Sequence, residues 1–139
     1  KEKCKMKRIC IFLSIFDCHI ARSPISSEIL ETRYYPGKFK FANSDECIEN
    51  ERLNIHLKTK DEDDVILILF AGFIARRIVP FVSKGDSLNL GERIGIIKFG
   101  SRIDIYVPSD YATKFKAGDE VVAGETILYN KVDLKLSEE

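Results

Sequence analysis

The chain has 139 residues, enough for one domain with a substantial hydrophobic core. Its 22 Lys and Arg residues balance its 22 Asp and Glu residues, so no overall basic charge favours nucleic acid as a partner. The most apolar stretch, Val65–Ile74, is too short to cross a bilayer as a helix and is typical of a buried strand.

The N-terminal sequence is locally basic and then strongly apolar. Residues 1–8 (KEKCKMKR) are interpreted as a solvated leader, with a membrane-surface patch as the alternative. A core strand already follows at Arg8–Ser14, so we expect that a segment of the protein is missing upstream. The four cysteines have no CxxC spacing, which favours free, buried thiols in a reducing compartment over disulfides or zinc; they are Cys4, Cys10, Cys18 and Cys47.

Apolar runs with a period of two residues predict eight strands separated by turn residues. The predicted strands are Arg8–Ser14, Ser26–Tyr35, Leu53–Lys58, Val65–Ala71, Ile78–Phe81, Arg93–Phe99, Arg102–Val107 and Thr126–Asn130. The charge run Asp61–Asp64 predicts a solvated hairpin tip. Short helices are expected at Ser44–Arg52 and Phe73–Arg77. The expected fold is a mostly β, compact sandwich or barrel-like single domain over residues 1–139.

A short phrase occurs twice in the second half of the chain. Gly85-Asp86-x4-Gly91-Glu92 recurs as Gly118-Asp119-x4-Gly124-Glu125. Each copy predicts tight turns in which Asp caps its own backbone, followed by an apolar β pair. The phrase resembles the pseudo-repeated hairpins of biotinyl and lipoyl carrier domains. Neither copy has the exposed Lys at a hairpin tip that such carriers need, so the likeness concerns architecture and not function.

One predicted strand has an unusual beginning. Ile103, Ile105 and Val107 alternate with Arg102, Asp104 and Tyr106, the period-two pattern of a strand with one buried and one solvent-facing side. The same parity places Ser101 on the apolar face, behind Gly100. Glycine weakens a strand. Taken alone, Gly100-Ser101 is most simply a β-bulge.

Six motifs follow one another along the chain. They are Ile11–Pro24 with its Asp-x-His, Tyr35–Phe39 (YPGKF), Asn50–Arg52 (NER), Phe70–Arg77 (FAGFIARR), Lys84–Asp86 with Gly91-Glu92, and Phe99–Ser101 (FGS). In this order they resemble the motifs of the phosphatidylserine decarboxylase family, in its short bacterial and archaeal-type branch. The resemblance covers about Ile9 to Tyr129.

This resemblance implies a chemistry that explains Gly100-Ser101. Decarboxylation of an amino acid needs an electron sink, which pyruvoyl enzymes make from their own backbone. Ser101 would attack the Gly100 carbonyl, and elimination and hydrolysis would leave a pyruvoyl group at position 101. The chain would then consist of a β-chain, residues 1–100, and an α-chain, residues 101–139. Glycine at position 100 leaves room for the attacking hydroxyl.

The resemblance also implies the other site residues. His19 occupies the Asp-x-His position and is expected to hold or deliver a proton in decarboxylation, whereas His56 is expected to be structural. Arg22 stands where the long branch of the family has a second histidine, the presumed base for self-cleavage, so that base is not assigned. Arg22, Arg76 and Arg77 are candidates for binding a phosphate or carboxylate. No metal site is expected.

The expected partners follow from the same resemblance. They are a phospholipid substrate, a membrane surface on the cytoplasmic side of the cell membrane, the two self-cleaved chains with each other, and a second copy in a homodimer, with no nucleic acid. Two alternatives remain open: a non-catalytic, carrier-like β binding module, and a pyruvoyl decarboxylase acting on another serine phospholipid or on an amino acid.

Overall fold

The structure, a computed structural model, describes residues 5–14, 20–37, 51–71, 78–97, 101–122 and 126–131. All regular elements within these ranges are strands. They are β1 (Met6–Leu13), β2 (Ile20–Arg22), β3 (Ser27–Tyr35), β4 (Arg52–Thr59), β5 (Asp64–Phe70), β6 (Ile78–Pro80), β7 (Ser87–Leu88), β8 (Arg93–Ile97), β9 (Ser101–Pro108), β10 (Tyr111–Ala112) and β11 (Asn130–Lys131).

The strands form one large and two small antiparallel sheets. The six-stranded sheet has the order β1-β9-β5-β4-β3-β7, the three-stranded sheet β2-β8-β6, and the two-stranded sheet β10-β11. Strand β9 therefore lies inside the large sheet, hydrogen-bonded to β1 on one side and β5 on the other.

Alternate side chains of the large sheet form the core. In β4, Leu53, Ile55 and Leu57 are buried and the residues between them are half-buried, as a strand packed on one face requires. The three-stranded sheet supplies buried residues to the same cluster, including Ile78 and Ile97. The two sheets thus share a core, which confirms the mostly β, sandwich-like prediction.

Most predicted strands are confirmed, with ends that differ by at most two residues. The end of the predicted strand Arg93–Phe99 lies outside the described residues, which stop at Ile97. The structure adds β2, β7 and β10, which the sequence did not predict. The prediction of a strand over Thr126–Asn130 was wrong for residues 126–129, because the observed strand begins only at Asn130. The prediction of a helix over Ser44–Arg52 was wrong at its end, where Arg52 starts β4; residues 44–50 and Phe73–Arg77 lie outside the described residues.

The glycine-aspartate pairs that begin the two copies of the phrase form matching turns, as predicted, whereas Gly124 and Glu125 of the second copy lie outside the described residues. Gly85 and Gly118 have φ angles of 93° and 95°, which glycine adopts without a Cβ penalty. Asp86 Oδ2 accepts from the Ser83 amide at 2.8 Å, and Asp119 Oδ2 accepts from the Lys116 amide at 2.9 Å. The first copy leads into β7 and β8. The second does not lead into an apolar β pair within residues 119–122 and 126–129.

No helix within the described ranges has the length and apolar character that a membrane-spanning helix needs.

Candidate functional site

Ser101 begins β9, an interior strand of the large sheet. Its backbone pairs with Leu13 at the end of β1, and the next residue, Arg102, pairs with Phe70 at the end of β5. Phe70 in turn pairs with Arg52 at the start of β4. These residues lie at the same end of the four paired strands, and we call this end of the large sheet the Ser101 edge.

The ends of the three-stranded sheet follow a matching arrangement. Ile20, the first residue of β2, pairs with Ile96, and Ile78, the first residue of β6, pairs with Ile97 at the end of β8. Chain segments therefore connect the Ser101 edge to one edge of the three-stranded sheet three times, from β1 to β2, from β5 to β6 and from β8 to β9. This convergence follows from the pairing of the described residues alone.

Four of the predicted site residues belong to these connecting segments in sequence. His19, Arg76, Arg77 and Gly100 lie outside the described residues, as does the side chain of Ser101. Their roles therefore stay predictions. What the structure describes is the strand ends that flank all three segments.

Strand β9 is buried on both faces. Ile105 and Val107, which share the parity of Ser101, are 3 % exposed. The residues of opposite parity were expected on the solvent side, and this expectation was wrong for Arg102 and Asp104, which are buried as well. Ser101 thus opens a strand with buried side chains on both faces, whereas Ile103 and Tyr106 are half-buried.

Arg102 and Asp104 form a buried ion pair along β9. The Arg102 Nη2 donates to Asp104 Oδ2 at 3.1 Å, and Nε lies 2.9 Å from Oδ1 without hydrogen-bond alignment. The two side chains are 8 % and 1 % exposed. The guanidinium carbon of Arg102 also lies 4.5 Å from the centroid of the Phe70 ring, a cation–π contact. The side chain next to the predicted cleavage position is therefore held by two partners.

Cys10 on β1 pairs with Asp104 across the strands. Burial and the hydrogen bond to Asp104 raise the pKa of the Cys10 thiol, so this free cysteine stays protonated and is a poor nucleophile. Cys4, Cys18 and Cys47 lie outside the described residues.

Glu51 is a buried carboxylate beside the Ser101 edge that sequence reasoning did not select. It is 4 % exposed, and its Oε1 accepts from the Ile78 amide at 2.7 Å. Its own carbonyl accepts from the Ala71 amide at 2.9 Å. Partial burial and the hydrogen-bonded Glu51 carboxylate raise the pKa of Tyr34. Glu51 thus ties the end of β5 to the start of β6. The NER motif could have indicated Glu51, because it places an acidic residue directly before a strand of alternating apolar and polar residues.

Two other residues selected from the sequence have structural partners. Arg22 is half-buried, and its Nη1 donates to the Gly91 carbonyl at 2.9 Å, at the opposite end of β2 from Ile20. His56 Nε2 lies 2.9 Å from Asp64 Oδ1 on the exposed face of the large sheet. Within the described ranges, no group of His, Cys, Asp and Glu side chains is arranged to hold a metal ion.

Comparison with known proteins decides the family. The family model for phosphatidylserine decarboxylase matches residues 1–129. The chain belongs to the phosphatidylserine decarboxylase family. It is 45 % identical over 125 residues to the phosphatidylserine decarboxylase proenzyme of Geobacter metallireducens, covering 89 % of this chain and 57 % of that protein.

Other proenzymes of the same name give a consistent result. The Erythrobacter litoralis protein is 46 % identical over 124 residues, 88 % of this chain and 50 % of the relative, and the Pelagibacter ubique protein is 44 % identical over 131 residues, 94 % of this chain and 60 % of the relative. The chain therefore spans about half to three fifths of the length of these relatives. No solved structure matches it.

Proposed function

We propose that this phosphatidylserine decarboxylase family member cleaves itself between Gly100 and Ser101 and then decarboxylates phosphatidylserine to phosphatidylethanolamine. One observation carries the proposal beyond family membership. Ser101 begins a strand that is paired on both sides, next to a buried ion pair, at the edge where three connections between the sheets begin or end. The backbone at position 101 is therefore fixed by strand pairing and is followed directly by the buried Arg102.

The residues around position 101 fit a pyruvoyl group formed there. A chain end created at position 101 would be held by Arg102, which would remain paired with Phe12 and Phe70, because these contacts join residues on opposite sides of the cut. The pyruvoyl carbonyl, once formed, supplies the electron sink for the electrons that remain when CO2 leaves the substrate.

The proposed cleavage conserves atoms. Ser101 Oγ attacks the Gly100 carbonyl carbon, so that the peptide C–N bond is replaced by an ester and the nitrogen takes a proton. Loss of the Cα proton of residue 101 and breakage of its Cβ–O bond release Gly100 as a carboxylate. The resulting dehydroalanine tautomerises to an imine, which takes up one water and releases one ammonia to leave the pyruvoyl group.

The two chains produced in this way would share the large sheet. Residues 101–139 contain β9, whose neighbours β1 and β5 both belong to residues 1–100. Backbone hydrogen bonds on both sides of β9 and the buried side chains Ile105 and Val107 hold the α-chain in place. We therefore expect the two chains to remain associated without a covalent bond.

His19 is proposed to protonate the α-carbon after CO2 leaves, since an imidazole exchanges protons near neutral pH. In sequence it precedes Ile20, whose partner strand β8 ends three residues before Gly100. Arg76 and Arg77 are proposed to bind the phosphate or carboxylate of the head group. Arg22 is the weaker candidate, because its guanidinium already donates to the Gly91 carbonyl.

The remaining parts of the proposal concern the setting of the reaction. The substrate is a phospholipid, so the enzyme is proposed to act peripherally at the cytoplasmic side of the cell membrane, and a homodimer is the proposed assembly.

An assay that compares phosphatidylserine vesicles with free serine tests the substrate. Release of CO2 from vesicles alone is expected, and release from free serine alone would contradict the phospholipid proposal.

Two variants separate the two reactions. Ser101→Ala is expected to abolish cleavage on a denaturing gel and all CO2 release, because it removes the attacking oxygen. His19→Ala is expected to cleave normally and to lose decarboxylation. If His19→Ala also stays uncut, the histidine takes part in self-cleavage and its assignment to the second reaction alone is wrong.

A further inference from the structure

The Arg102–Asp104 ion pair is unusual for its place in the fold. Both residues belong to β9, two positions apart, so the pair connects no second element to this strand. Moving two charges out of water is costly, and apolar residues of similar size often replace a buried ion pair without loss of stability. Global stability therefore gives no reason for the pair to be there.

The pair does fix the conformation at the beginning of β9. The guanidinium of Arg102 contacts the Asp104 carboxylate through two nitrogens and lies over the Phe70 ring at 4.5 Å. Asp104 is 1 % exposed and lies directly opposite Cys10 on the neighbouring strand β1. Side chains on both neighbouring strands, Phe70 on β5 and Cys10 on β1, thus hold the first residues of β9 after Ser101 in place.

This geometry bears on cleavage because attack by a hydroxyl on the preceding carbonyl depends on the backbone angles of the residue that carries it. An error of about 1 Å in the position of reacting atoms can slow a reaction about 10²-fold. Arg102, the residue directly after Ser101, is the one whose side chain these contacts fix. The contacts that fix it are made by buried charges, which have few alternative arrangements.

We propose that Arg102 and Asp104 are positioning residues for self-cleavage, which hold the backbone of residue 101 in the conformation from which its hydroxyl attacks Gly100. They act through Ser101 and do not themselves donate or accept a proton in the reaction. The inference rests on the cleavage proposed above and names residues that the motif alone did not select.

The test is a double substitution, Arg102→Met with Asp104→Leu, in the full-length protein. It removes both charges together and leaves no unpaired buried ion, so the variant is expected to unfold at the same temperature as the parent or higher. Its cleavage, followed on a denaturing gel after synthesis, is expected to be slower than that of the parent by about 10²-fold. A purely structural pair would leave a stable variant that cuts at the parental rate.

Arg52→Met is the matched control. Arg52 also lies over an aromatic ring, 4.0 Å from the centroid of Tyr35, in the same cross-strand row, but two strands away from Ser101. Its cleavage is expected to match that of the parent. If Arg52→Met slows cleavage as much as the double variant does, the effect belongs to the whole face of the sheet and the positioning role of the pair is refuted.

Hydroxylamine identifies the affected step, because it cleaves esters and leaves amides intact. The double variant is expected to release no 101–139 fragment when hydroxylamine is added, since its ester does not form. Rapid release of the fragment would overturn the proposal, as would cleavage within about twofold of the parental rate in the stable variant. An uncut parent would refute the cleavage proposal itself, whereas a cut parent with an equally cut double variant refutes only the positioning role.

Discussion

The two ends of β9 lie in different surroundings. At the Ser101 edge, the buried groups include charges: Arg102, Asp104 and, close by, Glu51. The opposite end of the strand, which we call the far end, lies beside a small apolar cavity of about 30 Å³. The cavity is lined by Pro24, Ile25, Val65, Ile105, Val107, Tyr111, Leu128 and Tyr129.

This difference separates stability from function along one strand. Apolar burial at the far end stabilises the fold by the removal of hydrocarbon from water. Buried charges at the Ser101 edge contribute little net stability but fix side-chain directions. Changes at the far end should therefore affect unfolding and leave cleavage intact, whereas changes to the buried charged groups at the Ser101 edge should slow cleavage more than their effect on stability explains.

The largest effect on stability is expected at the far end. Ile105→Ala removes three carbons from a cavity wall that is already incompletely packed, which should lower the free energy of unfolding by about 3 kcal/mol. Denaturant unfolding of the uncleaved Ser101→Ala background measures this loss. Ile105→Val is the control and should lose about 1 kcal/mol. Cleavage of folded Ile105→Ala at the parental rate is expected, and slow cleavage would contradict the separation.

Glu51→Ala should have the next largest effect on stability, at the other edge. It leaves the buried Ile78 amide without its carboxylate acceptor, at a cost of about 2 kcal/mol. Cleavage should slow, because the connection between β5 and β6 loses its tie near position 101. Glu51→Gln keeps an oxygen for the amide and should restore most of both properties. Normal cleavage in Glu51→Ala would show that self-cleavage does not depend on the hydrogen bond between the Ile78 amide and the Glu51 carboxylate.

Tyr111→Phe tests a side-chain hydrogen bond beside the cavity. The Tyr111 hydroxyl donates to Asp63 Oδ2 at 2.9 Å. Removal of the hydroxyl should lower the free energy of unfolding by about 1 kcal/mol, measured by denaturant unfolding. The cleavage rate is expected to be unchanged, and a change in it would link the far end to the Ser101 edge.

The smallest effect is expected on the exposed face. The hydrogen bond from His56, followed by Lys58, holds the pKa of Asp64 below its ordinary value of 3.8. A carboxyl with a lowered pKa stabilises the folded state above its unfolded pKa, and this stabilisation is lost as the pH falls through the folded pKa. Because the Asp64 side chain is 51 % exposed, Asp64→Asn should lose only a few tenths of a kcal/mol at neutral pH.

Unfolding curves at several pH values measure this difference, which should disappear in strong acid. Asp110→Asn, in the exposed turn after β9, is the control. A loss for Asp64→Asn that persists unchanged at the lowest pH would show that the ion pairs are not its cause.

Sequence patterning predicted the long strands because their alternation reports burial on one face. It missed β2 and β7, since strands of three and two residues are too short to show a period and form only where a neighbour offers hydrogen bonds. After the second glycine-aspartate turn, by contrast, the sequence predicted strands that are absent from residues 119–122 and 126–129. The local hydrogen bonds of this turn match those of the first, yet strand formation after it required partners that the sequence pattern does not reveal.

The candidate site was predictable in part. The motifs pointed to Gly100, Ser101 and His19, but period-two alternation assigns polar residues to the solvent, so it placed Arg102 and Asp104 wrongly. A charged side chain is buried only when a partner compensates it, and that partnership is a property of the folded strand. The convergence of three connections at the Ser101 edge likewise depends on sheet order, which short motifs do not encode.

Mass measurement of the full-length protein tests the central claim most directly. The account predicts two chains that separate only under denaturing conditions and a Ser101→Ala variant that stays uncut. The chain beginning at residue 101 should be lighter than the same peptide with an N-terminal serine by the mass of one ammonia molecule. Recovery of a single intact chain from the parent, or of a fragment that begins with an unmodified serine, would contradict it.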